Sequence, residues 1–529
     1  MSIPIKLENI LDYLSPGWSK KEFYKNKTFD ELFQIDEIPL SWFYERSFCL
    51  HTLPPIFKTK EMIKNIIYDK KKHINKKLKI RVMVLKKLYY INESLKTLFC
   101  TKKGKIGDYH STKNVLFFIH SNHIDFKNKE IFRINNIINK IKKDNYIKPF
   151  ILVASQSSEK VYSAIQRLLR CNNTIYDFIS LKDKKEAKIK SKELASLWIS
   201  ISEREKIKIL RSNEIFECVS GPLDLYFSKE FLYYLILYYK ASKRAIIKSK
   251  SKAIIITATN GLFERCLMAA ASSLNIPTII LQHGAGGSDI KYKLRDPYKF
   301  ITFSKFYKNK LIKNMIQKKN VIITGPYIFD DLYKYTLSKI KIRKRQQKNI
   351  AILTVPFVEQ GYYSKKEYFG YIKIIIKEIK KSGSHKIFIK LHPREKHIKE
   401  YKKLIKKNDF KEVLIGQKTN QGGLYDIINK SDMVINFSST TAIETMILNK
   451  PLITMLMPNF DNPLNKWLHE SKATIEISIN GDLSKTIKKI LIKDTLIKNR
   501  KKLVHKLCGK IDGRSSERIV QLIYSLYKK

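Results

Sequence analysis

Four short stretches of this sequence carry side chains able to hold or move charge. Lys390-Leu391-His392-Pro393-Arg394-Glu395 sets an imidazole between two cations, ahead of a proline that fixes the turn. A ring N–H so placed, with Lys390 and Arg394 adding charge, suits a phosphate that departs as a leaving group. Asn436-Phe437-Ser438-Ser439-Thr440-Thr441 is a run rich in hydroxyls, followed by Glu444. At a helix start such hydroxyls and backbone N–H groups cradle phosphate, and Glu444 can accept hydrogen bonds from ribose hydroxyls. The same run also reads as an ordinary N-cap with a capping-box glutamate. Gln282-His283-Gly284 brings a second imidazole, suited to taking a proton from a hydroxyl. His120-Ser121-Asn122-His123-Ile124-Asp125 offers His120 and Asp125 for that same role, or is a plain loop.

Every one of these stretches follows an apolar run. The first series of runs is Val115–Ile119, Phe150–Val153, Ala253–Ile256, Thr278–Leu281, Phe300–Thr302 and Val321–Ile323. The second is Ile350–Leu353, Lys386–Ile389, Val413–Ile415, Met433–Ile435, Leu452–Thr454 and Thr474–Ile477. Continuous apolar runs alternating with helical patterns predict parallel strands buried on both faces. The expected fold is therefore α/β, with two tandem doubly wound Rossmann-like domains. The expected domains are an acceptor-side unit over residues 111–340 and a second unit over 345–529 that ends in a helical tail. Lys339–Asn349 reads as the linker, and residues 1–110 as a basic, helical N-terminal extension. Ligands of doubly wound sheets bind beyond the carboxyl ends of strands, which is where all four stretches fall.

The composition sets wider bounds. With 529 residues and 43% apolar content the chain can bury two or three cores, which excludes wholesale disorder. A net charge of +55 stands out, yet lysine is spread through nearly every segment, and scattered lysine usually solvates a surface. The other reading is attraction to an anionic membrane leaflet or polyanion, through Lys58–Lys87 (with Lys70, Lys71, Lys72, Lys76 and Lys77) or Lys485–Lys510. No nucleic-acid-binding motif accompanies these stretches, so no nucleic-acid partner is expected. Cys49, Cys100, Cys171, Cys218, Cys266 and Cys508 lie far apart, without C-x-x-C pairs or zinc spacing, and read as buried thiols. No secretory pattern or ~20-residue apolar run appears, so a cytoplasmic protein is expected, with peripheral contact to the inner membrane face as an extension of that reading. The cleft loops contain no D-x-D, so no metal and no resident cofactor are expected.

In combination the motifs look like a known family. K-L-H-P-R, then S-D-M-V-I-N-F-S-S-T-T-A-I-E-T-M some 45 residues on, resembles the nucleotide-binding half of bacterial B-fold glycosyltransferases of surface and capsular polysaccharide biosynthesis. Kdo transferases, sialyltransferases and CDP-glycerol glycerophosphotransferases are related to these. T-N-G-L-F-E-R-C-L-M-A-A-A-S-S-L-N-I-P-T-I-I-L-Q-H-G is similar to their helix–strand–QHG segment, and T-G-P-Y-I-F-D-D-L to the inter-domain segment shared with non-hydrolysing UDP-N-acetylglucosamine 2-epimerases. The resemblance spans roughly residues 250–460. It implies a glycosyltransferase that moves a sugar from a nucleotide-sugar donor to a glycan or glycolipid acceptor. Under it, His392, Ser438, Ser439 and Thr440 hold donor phosphate, Glu444 lies near the ribose, and His283 is the base; Lys390 and Arg394, read from their place in the loop, complete the phosphate-binding set. Two departures count against epimerase and sialyltransferase chemistry. The loop Thr354-Val355-Pro356-Phe357 lacks the epimerases' basic residues, and no D/E-D/E-G motif is found. The alternatives are sugar-nucleotide epimerisation, a CDP-glycerol-type phosphotransferase, and a basic, non-catalytic scaffold.

Overall fold

A computed structural model of the chain describes residues 18–20, 22–44, 87–88, 90–101, 113–126, 128–144, 146–155, 161–210, 224, 226–259, 261–284, 294–337, 347–408, 413–416, 421–437, 439–458, 460 and 463–528. The lysines from Lys70 to Lys77, Ser438, Cys49 and Cys218 lie outside the described residues.

Six strands form the first sheet: β1 (Asn114–His120), β2 (Lys148–Ala154), β3 (Ser251–Ile256), β4 (Thr278–Leu281), β5 (Tyr298–Thr302) and β6 (Val321–Ile323). Their order is β6-β5-β4-β3-β1-β2, with every pairing parallel. Six more form the second: β7 (Lys348–Leu353), β8 (His385–Lys390), β9 (Val413–Gly416), β10 (Met433–Asn436), β11 (Leu452–Leu456) and β12 (Ile475–Ser478). These run β9-β8-β7-β10-β11-β12, again all parallel. Both sheets are doubly wound, and each has one point where strand order reverses: between β1 and β3 in the first, between β7 and β10 in the second. A crevice opens at such a point, because the connecting helices leave in opposite directions.

Strand side chains alternate between faces, and the cores divide accordingly. On β1, Val115, Phe117 and Ile119 enter a core that also holds Ala351 and Leu353 of β7, so one hydrophobic body joins the two domains. Leu116 and Phe118 point the other way, into a core shared with residues 23–43 and the long helix Lys229–Lys248. Ile350 and Ile352 of β7 belong to a third core on the far face of the second sheet. Each fully buried Ile or Leu adds roughly 1.5–3 kcal/mol relative to exposure.

Two stretches were not foreseen in this form. Residues 18–44 contain two small antiparallel pairs, Glu22–Tyr24 with Lys27–Thr28 and Gln34–Ile35 with Ile38–Pro39, between short helices. Phe29, Phe33, Leu40 and Phe43 plug this segment into the first domain's core. The C-terminal tail is helical as expected, yet its last helix crosses back. Ser515–Ser525 packs against α1 (Asn135–Asp144) of the first domain, where Tyr524 donates to Asp144 at 2.8 Å and Tyr527 donates to the Asn114 carbonyl. Among the described residues no helix is long and apolar enough to cross a membrane, and Cys100, Cys171, Cys266 and Cys508 are buried.

Candidate active site

In the second domain, β8 delivers the His392 loop to the crevice. The His392 N–H donates to Thr354 Oγ1 (3.1 Å) and to Glu395 Oε2 (2.7 Å). Glu395 also accepts from the Thr354 hydroxyl and from Tyr401 (2.8 Å), so one half-buried carboxylate gathers the end of β7, the turn and the next helix. Burial pushes the Glu395 carboxyl up, against the pull of those hydrogen bonds. The Arg394 N–H donates to His392 Nδ1 at 3.1 Å, which leaves the proton of a neutral ring on Nε2 as a donor. Burial, then Arg394 and Lys390, lower His392 to about 4, so the ring is neutral at pH 7. Arg394 is exposed, whereas Lys390 is buried with its ammonium on the Leu391 carbonyl at 3.0 Å. Lys390 therefore charges the loop from beneath.

At the other side of that crevice, β10 ends in Asn436. Its Oδ1 accepts from Thr454 (3.1 Å), and its buried Nδ2 has no partner among the described residues. Thr440 is the N-cap of α2 (Thr441–Ile447) but makes no side-chain cap bond, while the Ser439 and Thr441 hydroxyls bond each other. Glu444 lies one residue too far along for a capping box; the contrast is Ser364, which makes a full box with Glu367 at the helix Lys365–Ser382. The plain-cap alternative is thus not what forms. A seven-residue helix has a modest dipole, so the polar side chains matter more here. Burial raises Glu444 to about 7, with Arg133 pulling it back.

Across the cleft, β1 ends in His120, whose Nε2 lies 2.8 Å from Glu264 Oε1. Burial pushes Glu264 up, but His120 beside it more than cancels this and leaves the carboxyl below its ordinary value. Gly261 makes room for it, since a Cβ there would stand 2.0 Å from Glu264 Oε2. His283, just past β4, is exposed, and its carbonyl accepts from Arg133 Nη1. Solvent reaches the ring, yet protein crowds it on both sides of the cleft. That burial, with Arg133, His123 and Arg394, lowers it to about 3. His123 is lowered to about 4 by burial, then by His120 and Arg133. Asp125 accepts from the Asn128 N–H (3.2 Å) and side-chain amide (2.8 Å), and so holds the turn between the short strands Ile124–Asp125 and Glu130–Ile131.

The loops after β1, β4, β8 and β10 therefore converge. Arg394 of the second domain is felt electrostatically at His123, His283 and Arg133 of the first, and Glu444 is felt at Arg133. Sequence reasoning named His283, Asp125, His120, Lys390, His392, Arg394, Ser438, Ser439, Thr440 and Glu444, of which Ser438 lies outside the described residues; it did not single out Glu264, Glu395, Thr354 and Arg133. The run Gly261-Leu262-Phe263-Glu264, which opens the helix after β3, was the available signal for Glu264: a carboxylate in the first turn of a helix at the strand-order reversal. Among the described residues no group of three or more His, Cys, Asp or Glu side chains stands ready to hold a metal ion.

No family model matches the sequence, and no curated protein matches it. Solved structures do resemble its chain path. UDP-GlcNAc 2-epimerase from Neisseria meningitidis aligns at 13% identity and TM-score 0.45, over 78% of this chain and 100% of that one. MurG of Acinetobacter baumannii aligns at 11% and 0.43, over 78% and 99%. The glycosyltransferase SnogD from Streptomyces nogalater aligns at 8% and 0.44, over 78% and 100%. A likeness this loose carries no argument about reaction or substrate.

Proposed function

We propose that this protein is a glycosyltransferase that moves a sugar from a nucleotide-activated donor to a hydroxyl of a surface polysaccharide or glycolipid acceptor. One observation carries the reading: two crevices, one per sheet, meet in a single cleft, with a neutral imidazole donor on one wall and a neutral imidazole acceptor on the other. His392 Nε2–H, Thr440 and Asn436 Nδ2 supply donors to the leaving phosphate, and Glu444 accepts from the ribose. His283, open to solvent and unprotonated at pH 7, takes the acceptor's proton as the new glycosidic bond forms and the bond to phosphate breaks. A base of such low pKa is weak. Burial is the larger cause of that lowering, but Arg133 and Arg394 add to it and are cations an incoming phosphate would neutralise, so donor binding raises its basicity. His120 and Glu264 lie beneath as a paired floor of the site, and Asp125 shapes the turn.

The test is a thermal-shift series with CMP, CDP, UDP and GDP, followed by nucleotide release from the matching nucleotide-sugar with and without a glycolipid fraction. Stabilisation by one nucleotide and acceptor-dependent release support the proposal. Donor conversion without any acceptor would point to epimerisation instead. Turnover unchanged in EDTA is expected, because protein cations take the place of Mg²⁺ on the phosphate; loss restored by Mg²⁺ or Mn²⁺ counts against this.

A further inference from the structure

Arg133 is held at a cost that the contacts around it offset only in part. Its backbone lies in the left-handed region at φ +69°, which a side chain other than glycine adopts only under constraint. The guanidinium stacks on Phe132 at 4.8 Å and donates to the His283 carbonyl. Its Nε is shut off from solvent with no hydrogen-bond partner among the described residues, and no carboxylate stands within ion-pair distance of it there. The residue as a whole is half-buried, and an arginine cannot shed its charge, so the enclosed Nε–H is a charged donor left without an acceptor among the described residues. Its favourable electrostatic neighbours are Tyr327, Glu444 and Tyr425; Arg394, from the opposite domain, repels it. Arg394, by contrast, is exposed, and it too has no ion pair among the described residues. Two guanidiniums from two domains thus face one space, with His123 and His283 beside them.

We infer that Arg133 and Arg394 form a clamp across the cleft for one oxyanion, a phosphate or carboxylate group of a substrate, and that filling it draws the two domains together. The inference rests on the transferase reading for the source of that anion, either the donor's diphosphate or an acidic group on the acceptor. An oxyanion between the two would remove the mutual repulsion and satisfy Arg133 Nε, and the planar forks can each hold it through two bonds.

The experiment is calorimetric titration of the full chain with inorganic pyrophosphate, and with CDP and UDP, for wild type, Arg133→Gln, Arg133→Lys and Arg394→Gln. Small-angle scattering follows closure, and circular dichroism checks the fold. Arg394 is exposed, so Arg394→Gln tests the clamp even if Arg133 variants are unstable. Pyrophosphate binding to wild type, weakened about tenfold or more by Arg133→Gln and by Arg394→Gln, with the radius of gyration falling only for wild type, supports the clamp. If both variants lose the nucleoside diphosphate equally, the anion is the donor's. If they lose pyrophosphate alone, the clamp serves an acidic acceptor. Unchanged pyrophosphate affinity in Arg394→Gln, or no pyrophosphate binding to wild type, overturns the inference. Nucleotide binding that persists in those cases leaves the transferase reading standing, which keeps the two failures apart.

Discussion

Glu395 Oε2 accepts the His392 backbone N–H at 2.7 Å, and through that bond a residue that never faces the cleft sets the position of one that does. Glu395 also ties down Thr354 and Tyr401, so its loss should loosen the whole turn. Glu395→Ala is expected to weaken nucleotide binding by about tenfold or more and to cost roughly 2–4 kcal/mol of stability, from stranded buried donors. Calorimetry and chemical denaturation measure the two. Wild-type affinity in a folded variant would show that the turn holds its shape without this carboxylate.

The two walls of the cleft should separate by readout. His392→Ala and Ser439→Ala are expected to weaken nucleotide binding by about 1–3 kcal/mol, the scale of a charge-assisted hydrogen bond. His283→Ala should leave nucleotide affinity nearly intact and slow single-turnover transfer by roughly 10²–10⁴-fold. Loss of nucleotide binding in His283→Ala, or normal behaviour of His392→Ala, contradicts this division.

The pH dependence carries a definite sign. Burial lifts Glu444 to about 7 in the free protein, and only its ionised form accepts from two ribose hydroxyls. Donor kcat/KM, which reports the free enzyme, should therefore fall as pH drops through about 7. His283, already neutral above about 3, adds no second fall before pH 4. Glu444→Gln should remove the inflection near 7 at the expense of a lower plateau. An inflection that survives this substitution assigns it to another group.

Gly261 gives a test of the His120–Glu264 pair that leaves both residues in place. Its backbone, at φ −81°, accepts any residue, so Gly261→Ala strains nothing locally. The added methyl would stand where the Glu264 carboxylate now sits. Transfer should drop by roughly 10- to 100-fold with nucleotide affinity unchanged, if the pair supports the acceptor wall. Full activity in this variant would reduce the pair to a packing role.

Much of this architecture was legible because parallel strands buried on both faces must be apolar throughout, as Val115–Ile119 and Ile350–Leu353 are. His283 and His392 could be found because they follow such strands. Arg133 could not, since it sits in a turn whose sequence gives no strand end to count from, and its importance lies in facing Arg394 some 260 positions away. Glu395 looked like one more loop charge, because a carboxylate that ties a turn together is recognised by the hydroxyls around it, not by its neighbours in sequence. Residues 18–44 pair in strands of two or three residues, too short to show any period. The destination of Ser515–Ser525 was equally hidden: an amphipathic helix announces that it has an apolar face, not which surface will cover it.

That last helix has a mechanical consequence. The chain leaves the first domain beyond β6 and comes back to it before Ser515, where the Asp330 carboxylate receives the Ser515 and Ser516 N–H groups at 3.1 and 2.7 Å. A body fixed at one point turns in any direction, like a ball in a socket, whereas one fixed along a line between two points swings like a door. With both crossings pinned beside each other, the cleft has a hinge line rather than a swivel, and each opening should return Arg394 to the same place opposite Arg133.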